Sequence, residues 1–335
     1  MVSRRARLTP KLFTDRIEKA HVHNGYRKGL VVAGMRDEHV VALSADGAVA
    51  LRTDVFADKF PDRFFEAGIA DATMVTVAVG LGVSGKVPFI ASQAAFSPGR
   101  TWEQIRTTAC YNDANIKIAG HRAGVSGGAE GAVHQAYEDI AIMRSLPHIK
   151  LFVPCDAIEA EKATIAASQV WGPVYMRFSA EKAPIITTEE TPFIPGKAEV
   201  FWESYGKKKK PQVVIIAIGP SVYDALIAAN ELEEEGIGTI VVNNHTIKPM
   251  DEKKIAEVAE MCGGVVTVED HQIMGGMGSA VSEILARMCP VPQEFVGIQD
   301  TFGASGTPEE VKREYHLAVS DIKEAVKRNM RRKKK

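Results

Sequence analysis

The sequence predicts an α/β protein of two domains, and three observations predict it. Short apolar runs alternate with longer helical patterns through most of the chain, the signature of parallel strands joined by crossover helices. The length of 335 residues suits two domains of ordinary size, at about 150 residues each. The character of the chain also changes once: after Phe178, APIITTEETPFIPGKAEVFWESYGKKKKP carries three prolines ahead of a four-lysine run and sustains no period. Residues 1–188 are therefore read as the first domain, 189–210 as a linker and 211–335 as the second domain with a basic tail.

In the first domain the apolar runs predict strands at Val40–Leu43, Val87–Ala91, Ile116–Ala119, Lys150–Val153 and Val174–Phe178, each ended by Gly, Pro, Asp or Ser. Ala70–Val83 (ending ATMVTVAVGLGV) predicts a helix buried on more than one side, and His134–Leu146 (HQAYEDIAIMRSL) predicts another. The second domain opens a fresh series. Its predicted strands are Val213–Ile218, Thr239–Val242 and Val265–Val268, with helices from Ser221 to Glu235, from Asp251 and after Met277. The end, KRNMRRKKK, follows a helical pattern through Ile322–Val326 and reads as a frayed, solvated tail.

Composition narrows the function classes. Hydrophobic residues at 45% and charged residues at 25% exclude a disordered or collagen-like chain, and no run approaches the ~20 apolar residues of a membrane span. With 41 Lys+Arg against 42 Asp+Glu there is no overall basic field to draw a polyanion; the basic ends, Arg4, Arg5, Arg7 and Arg331 to Lys335, are local. Nucleic acid is not an expected partner. Cys110, Cys155, Cys262 and Cys289 are too far apart for a CxxC motif and too few for a disulfide framework, which fits a reducing cytosol. The start, MVSRRARLTPKLFTDRIEKAHVHNG, lacks the apolar run of a signal peptide, and the early acids Asp15 and Glu18 argue against a transit peptide. A cytoplasmic location is expected.

Walker A, strand-linked GxGxxG, HExxH, GxSxG and EF-hand patterns are all absent, leaving hydrolase and metal-site readings without support. A glycine-rich turn, HQIMGGMGSA, places Gly275, Gly276 and Gly278 between a strand and a helix. It serves either as an anion seat at the helix N-terminus or as a device for tight strand-to-helix packing.

The stretch from Asp58 to Arg106, DKFPDRFFEAGIADATMVTVAVGLGVSGKVPFIASQAAFSPGRTWEQIR, resembles the pyrimidine-binding domain of transketolases. The likeness continues through AGVSGGAEGAVHQAYEDIAIMRSLPHIKLFVPCDAIEAEKA (Ala123 to Ala163) and GPVYMRF (Gly172 to Phe178). It then runs through NNHTIKPMD (Asn243 to Asp251), VEDHQIMGGMGSAV (Val268 to Val281) and DTFGASGTPEE (Asp300 to Glu310), in the order expected of a C-terminal half. The resemblance implies a thiamine-diphosphate-binding fold of the pyrimidine type, a parallel sheet with flanking helices, followed by a smaller transketolase C-terminal α/β domain. Full-length transketolases carry an N-terminal domain whose GDG…N motif binds magnesium and the cofactor diphosphate. Here the only DG, Asp46–Gly47, lacks the downstream asparagine. The chain thus resembles the C-terminal subunit of a split transketolase. That implies a separate N-terminal partner subunit holding Mg2+, a homodimeric core in an α2β2 assembly, and ketol transfer from a sugar or sugar phosphate to an aldose.

The family's residues carry over position by position. A glutamate in GIAEQ or GIREH hydrogen-bonds the cofactor's pyrimidine ring and makes the cofactor nucleophilic. GIADA puts Asp71 there, one methylene shorter, which draws the oxygens back by roughly 1.5 Å. Asp71 then serves as activator or as helix N-cap, or Glu66 in FFEAG substitutes for it; all three readings stay open. Phe96 in ASQAAF matches the ring on which the pyrimidine stacks, while Gln93 and Gly99 stand where relatives often have aromatics. Arg100, Gln104 and Arg106 match a run read as subunit packing. On the substrate side His134 in VHQ matches a channel histidine, Arg122 replaces a histidine for which His121 is an alternative, and Glu130 replaces an aspartate. Arg177 is retained, with substrate and packing roles both open. Ala180 stands where relatives place a phosphate-holding arginine, with Lys182 as the nearby candidate replacement. The departures at Asp71, Arg122, Glu130 and Ala180 leave a noncatalytic paralogue, or ketol or acyl transfer on a non-phosphorylated substrate, as alternatives. HTIKPMD and DTFGASGTPEE resist a 2-oxo-acid dehydrogenase β subunit.

Overall fold

VVALS, KIAGH and VYMRF are buried along their whole length, as strands covered by helices on both faces must be. The computed structural model, which describes residues 1–208 and 210–333, assembles them into a seven-stranded sheet. Its order is Thr246–Lys248, Lys150–Phe152, Val174–Phe178, Lys117–His121, Val87–Gln93, Val40–Ser44 and Phe64–Glu66. Every pairing is parallel except that of Thr246–Lys248. A five-stranded sheet follows in the order Gln293–Ile298, Val265–Gln272, Val213–Ala217, Thr239–Asn243 and Glu199–Glu203, with only the last antiparallel. Lys19–His21 and Lys182–Pro184 form a separate antiparallel pair.

Every strand expected from the sequence is present. The expectations fail at the edges, where apolar runs are short. Within the segment read as linker, Glu199–Glu203 is a strand of the second sheet. Residues 1–17, assigned to the first domain, pack largely on the second: Ala6 and Leu12 share a core with Phe201, Trp202 and Val213. Thr246–Lys248 does the reverse and closes the edge of the first sheet. His134–Leu146 is not one helix. His134 ends a short 3-10 turn, Ala132–His134, and only Asp139–Arg144 is α-helical. Its early amides, Ile140 and Ala141, donate to Nε2 of His271 at 3.1 and 3.4 Å, so an acceptor from the second domain fixes where the helix begins.

The basic tail is docked, not frayed. Val319–Arg332 is a single helix; Asn329 is buried and donates to the carbonyls of Val265 and Pro292 at 3.0 and 2.7 Å. Arg328 and Arg332, four apart on one helix face, both reach Glu294. Lys333 donates to the carbonyls of Gln212 and Cys262. Lys334, Lys335 and Lys209 of the lysine run lie outside the described residues.

The two domains meet through buried charge. Arg177, 2% exposed, donates from Nε to Asp139 and from Nη1 to Asp270 at 2.6 Å, and Nη2 donates to the Asp270 carbonyl at 3.0 Å. Burial opposes its charge, but Asp139 and Asp270 outweigh that and raise its pKa above the usual value. Among the described residues no helix is long and apolar enough to cross a membrane.

Candidate active site at the carboxyl ends of the first sheet

In parallel α/β sheets, ligands bind beyond the carboxyl ends of the strands. Ser92, Gln93, His121 and Phe178 stand at those ends, with Gln93 in register with His121 and His121 with Phe178. Asp71 begins the helix Asp71–Val83, at the positive end of its dipole. It is not the cap, which falls on Ala70 with no side-chain bond. Instead Oδ1 of Asp71 accepts a hydrogen bond from the Ser92 hydroxyl at 2.5 Å. That bond fixes a half-buried carboxylate with one oxygen still open. Glu66 is occupied elsewhere: its Oε1 accepts from the amides of Asp46 and Gly68 at 2.7 and 3.0 Å, bracing the turn that leads to Asp71.

After Ser92 the chain turns, and Phe96 meets His134 edge-on with ring centres 5.6 Å apart. Two buried atoms of this group, Oε1 of Gln93 and Nδ1 of His134, have no hydrogen-bond partner among the described residues. Buried polar atoms are normally paired, so their pairing falls to a ligand. Arg122 and Glu130 join in an ion pair at 2.5 Å, each about one-third exposed.

Three expected substrate contacts lie elsewhere. Arg177 spends Nε, Nη1 and Nη2 inside the domain junction and is sealed from the strand ends, so its place is packing. His121 is fully buried against Tyr26 and Phe178, with centroids at 4.9 and 5.4 Å, and does not stand in for Arg122 at the surface. Lys182 is exposed on the strand opposite His21. The glycine-rich turn is not open to an outside anion either. Glu269 accepts from the amides of Met277 and Gly278 at 2.7 and 2.8 Å, and a Cβ on Gly276 would meet Glu269 Oε2 at 2.4 Å. Burial lifts Glu269 to about 8 in spite of those two donors.

Sequence reasoning missed Ser92, although it lies inside the quoted ASQAAF, because a strand serine carries no pattern of its own. It also missed Arg52 and His23, which meet at 3.0 Å across 29 positions of chain.

The fit to thiamine diphosphate rests on three features of the strand ends. They offer a fixed carboxylate, an aromatic face and an unpaired buried amide oxygen, a set that suits the pyrimidine half of the cofactor. Among the described residues no group of three or more His, Cys, Asp or Glu side chains is placed to hold a metal ion.

Comparison with known proteins agrees. Residues 18–184 match the transketolase pyrimidine-binding domain family, and residues 204–322 the transketolase C-terminal domain family. The chain is 35% identical over 310 residues to the 6-deoxy-6-sulfo-D-fructose transketolase subunit SqwH of Clostridium sp. (strain MSTE9), covering 92% of this chain and 94% of that one. It is 34% identical to one subunit of the apulose-4-phosphate transketolase of Phocaeicola vulgatus, covering 88% and 92%. Against Homo sapiens transketolase it is 33% identical over 92% of its own length and 49% of the other's. A solved split-gene transketolase, described as an inactive beta4 tetramer, superposes with a TM-score of 0.86 at 39% identity, covering 93% and 98%. With both domains matched in order and near full-length relatives at this identity, the chain belongs to the transketolase family.

Proposed function

We propose that this chain is the C-terminal subunit of a split, thiamine-diphosphate-dependent transketolase, moving a two-carbon ketol unit from a ketose to an aldose with a separate N-terminal subunit. The observation that carries the reading is the Asp71 carboxylate, held by Ser92 at the start of its helix, in the position of the family's activating glutamate. Bound cofactor supplies the nucleophilic carbon that carries the ketol unit. Asp71 holds a proton at the pyrimidine ring nitrogen through its open oxygen, Phe96 supports the ring face, and the Gln93 carbonyl offers an acceptor. His134, edge-on to Phe96 with Nδ1 unpaired, exchanges a proton with a substrate hydroxyl. The cofactor diphosphate and Mg2+ belong to the N-terminal subunit, and the working assembly is of the α2β2 type. Relatives covering nearly the same length as this chain are named as subunits, and the split-gene structure that lacks activity is described as β only; both support the two-chain reading.

Calorimetric titration of thiamine diphosphate with Mg2+ tests the division of labour. Tight binding is expected to the two-chain complex and weak binding to the isolated chain. Phe96→Ala in the complex should weaken binding by about 5-fold, the worth of one aromatic stacking contact. Equal affinity with and without the partner would overturn the reading.

A further inference from the structure

The Ala180 position lacks the arginine that relatives use for a sugar phosphate, yet basic side chains converge on it from another direction. His21 donates from Nδ1 to the Ala180 carbonyl at 2.6 Å, and its ring lies 5.5 Å from that of His23. Arg52 donates from Nε to Nε2 of His23 at 3.0 Å. The accepting nitrogen fixes the tautomer: the His23 proton sits on Nδ1, which is buried and has no partner among the described residues. Both ring nitrogens of His121, 5.9 Å from His23 by ring centres, are likewise unpaired there.

Arg52 is the unusual member. Among the described residues its guanidinium meets no carboxylate, and its one bond goes to a neutral imidazole, so its Nη groups and full charge are left for something else. His23 is pushed down to about 3, by burial first and then by the charges of Arg52, His21 and Arg122, which places Arg122 in the same cluster. Arg52 and Arg122 both sit in the left-handed backbone region, at φ +64° and +58°. For non-glycine residues that conformation is costly and persists where surrounding structure holds it, often at ligand sites. Arg122 is already neutralised by Glu130.

We propose that Arg52, braced by His23 and flanked by Arg122, is the seat for a terminal tetrahedral oxyanion, phosphate or sulfonate, on the ketose substrate. The proposal rests on the ketol-transfer reading and names its substrate class. A planar guanidinium with two free Nη groups binds such an oxyanion bidentately. The seat supplies from the Arg52 loop what Ala180 does not supply from the strand end.

The test compares kcat/KM of the two-chain enzyme for a phosphoketose, a sulfoketose and the uncharged ketose erythrulose. Arg52→Gln should lower the preference for the charged donors over erythrulose by roughly 10–100-fold, through KM, the range for losing a charge-assisted hydrogen-bonded pair. Arg52→Lys should restore part of it, and the donor with the lower wild-type KM identifies phosphate or sulfonate. An unchanged preference in a folded Arg52→Gln enzyme overturns the seat. A second readout does not need turnover: inorganic phosphate and methanesulfonate are titrated into the purified chain while the His23 and His121 ring resonances are followed by NMR. Saturable shifts in the wild type, absent in Arg52→Gln, support the seat even if no ketose is turned over, in which case only the catalytic reading falls. No saturable shift with either anion overturns the seat while leaving ketol transfer standing.

Discussion

Asp71→Asn lowers turnover of the reconstituted two-chain enzyme by about 10²–10⁴-fold, the usual range for removing a positioned acid–base group. Asparagine keeps the size of the side chain and an oxygen to accept the Ser92 hydroxyl, so the helix and its start are undisturbed. What it loses is the negative charge that favours a proton on the pyrimidine nitrogen. Thermal unfolding should match the wild type, and cofactor affinity should fall far less than kcat. Full activity in Asp71→Asn would remove Asp71 from the chemistry. The aspartate arm is shorter than the family's glutamate, and the Ser92 bond shows what holds it. The hydroxyl of a buried strand residue, 4% exposed, fixes the carboxylate at the head of the helix. A Ser92→Ala variant frees that carboxylate without removing it.

Arg177→Met destabilises the chain by about 3–5 kcal/mol, the cost of stripping one partner from a buried ion pair. Asp139 and Asp270 would be left in the domain junction at 1% and 4% exposure. Urea unfolding of the purified chain reads this directly as a drop in midpoint. The same experiment separates the two readings the sequence left open. A substrate arginine would change KM and leave the unfolding midpoint in place; a junction arginine moves the midpoint. A midpoint unchanged in Arg177→Met would contradict the packing role.

The central strands were legible because continuous apolar runs bounded by turn residues have few other uses, and Val174–Phe178 agrees to the residue. Edge strands such as Phe64–Glu66 and Gln293–Ile298 are half exposed, and their pairing comes from neighbours distant in sequence. The tail misled because its charges look solvated; the spacing of Arg328 and Arg332 on one face, with Asn329 buried between them, was its only sign of docking. Asp71, Phe96 and His134 were found through motifs. Their supports were not: Ser92 is an ordinary residue in a strand, and the Arg52–His23 contact joins segments with no shared pattern. His21 and His23 stood out only as a close pair, and their meaning depends on Ala180 and His121, brought near by the sheet.

The central claim is that this chain completes an active site it does not hold alone. Steady-state ketol transfer, with thiamine diphosphate and Mg2+, measured for this chain, its N-terminal partner and their equimolar mixture, tests it most directly. The account predicts turnover in the mixture and none in either chain alone, with loss of the mixture's activity in Asp71→Asn. A mixture that assembles and binds cofactor yet transfers no ketol unit from phosphorylated, sulfonated or uncharged ketoses would contradict it.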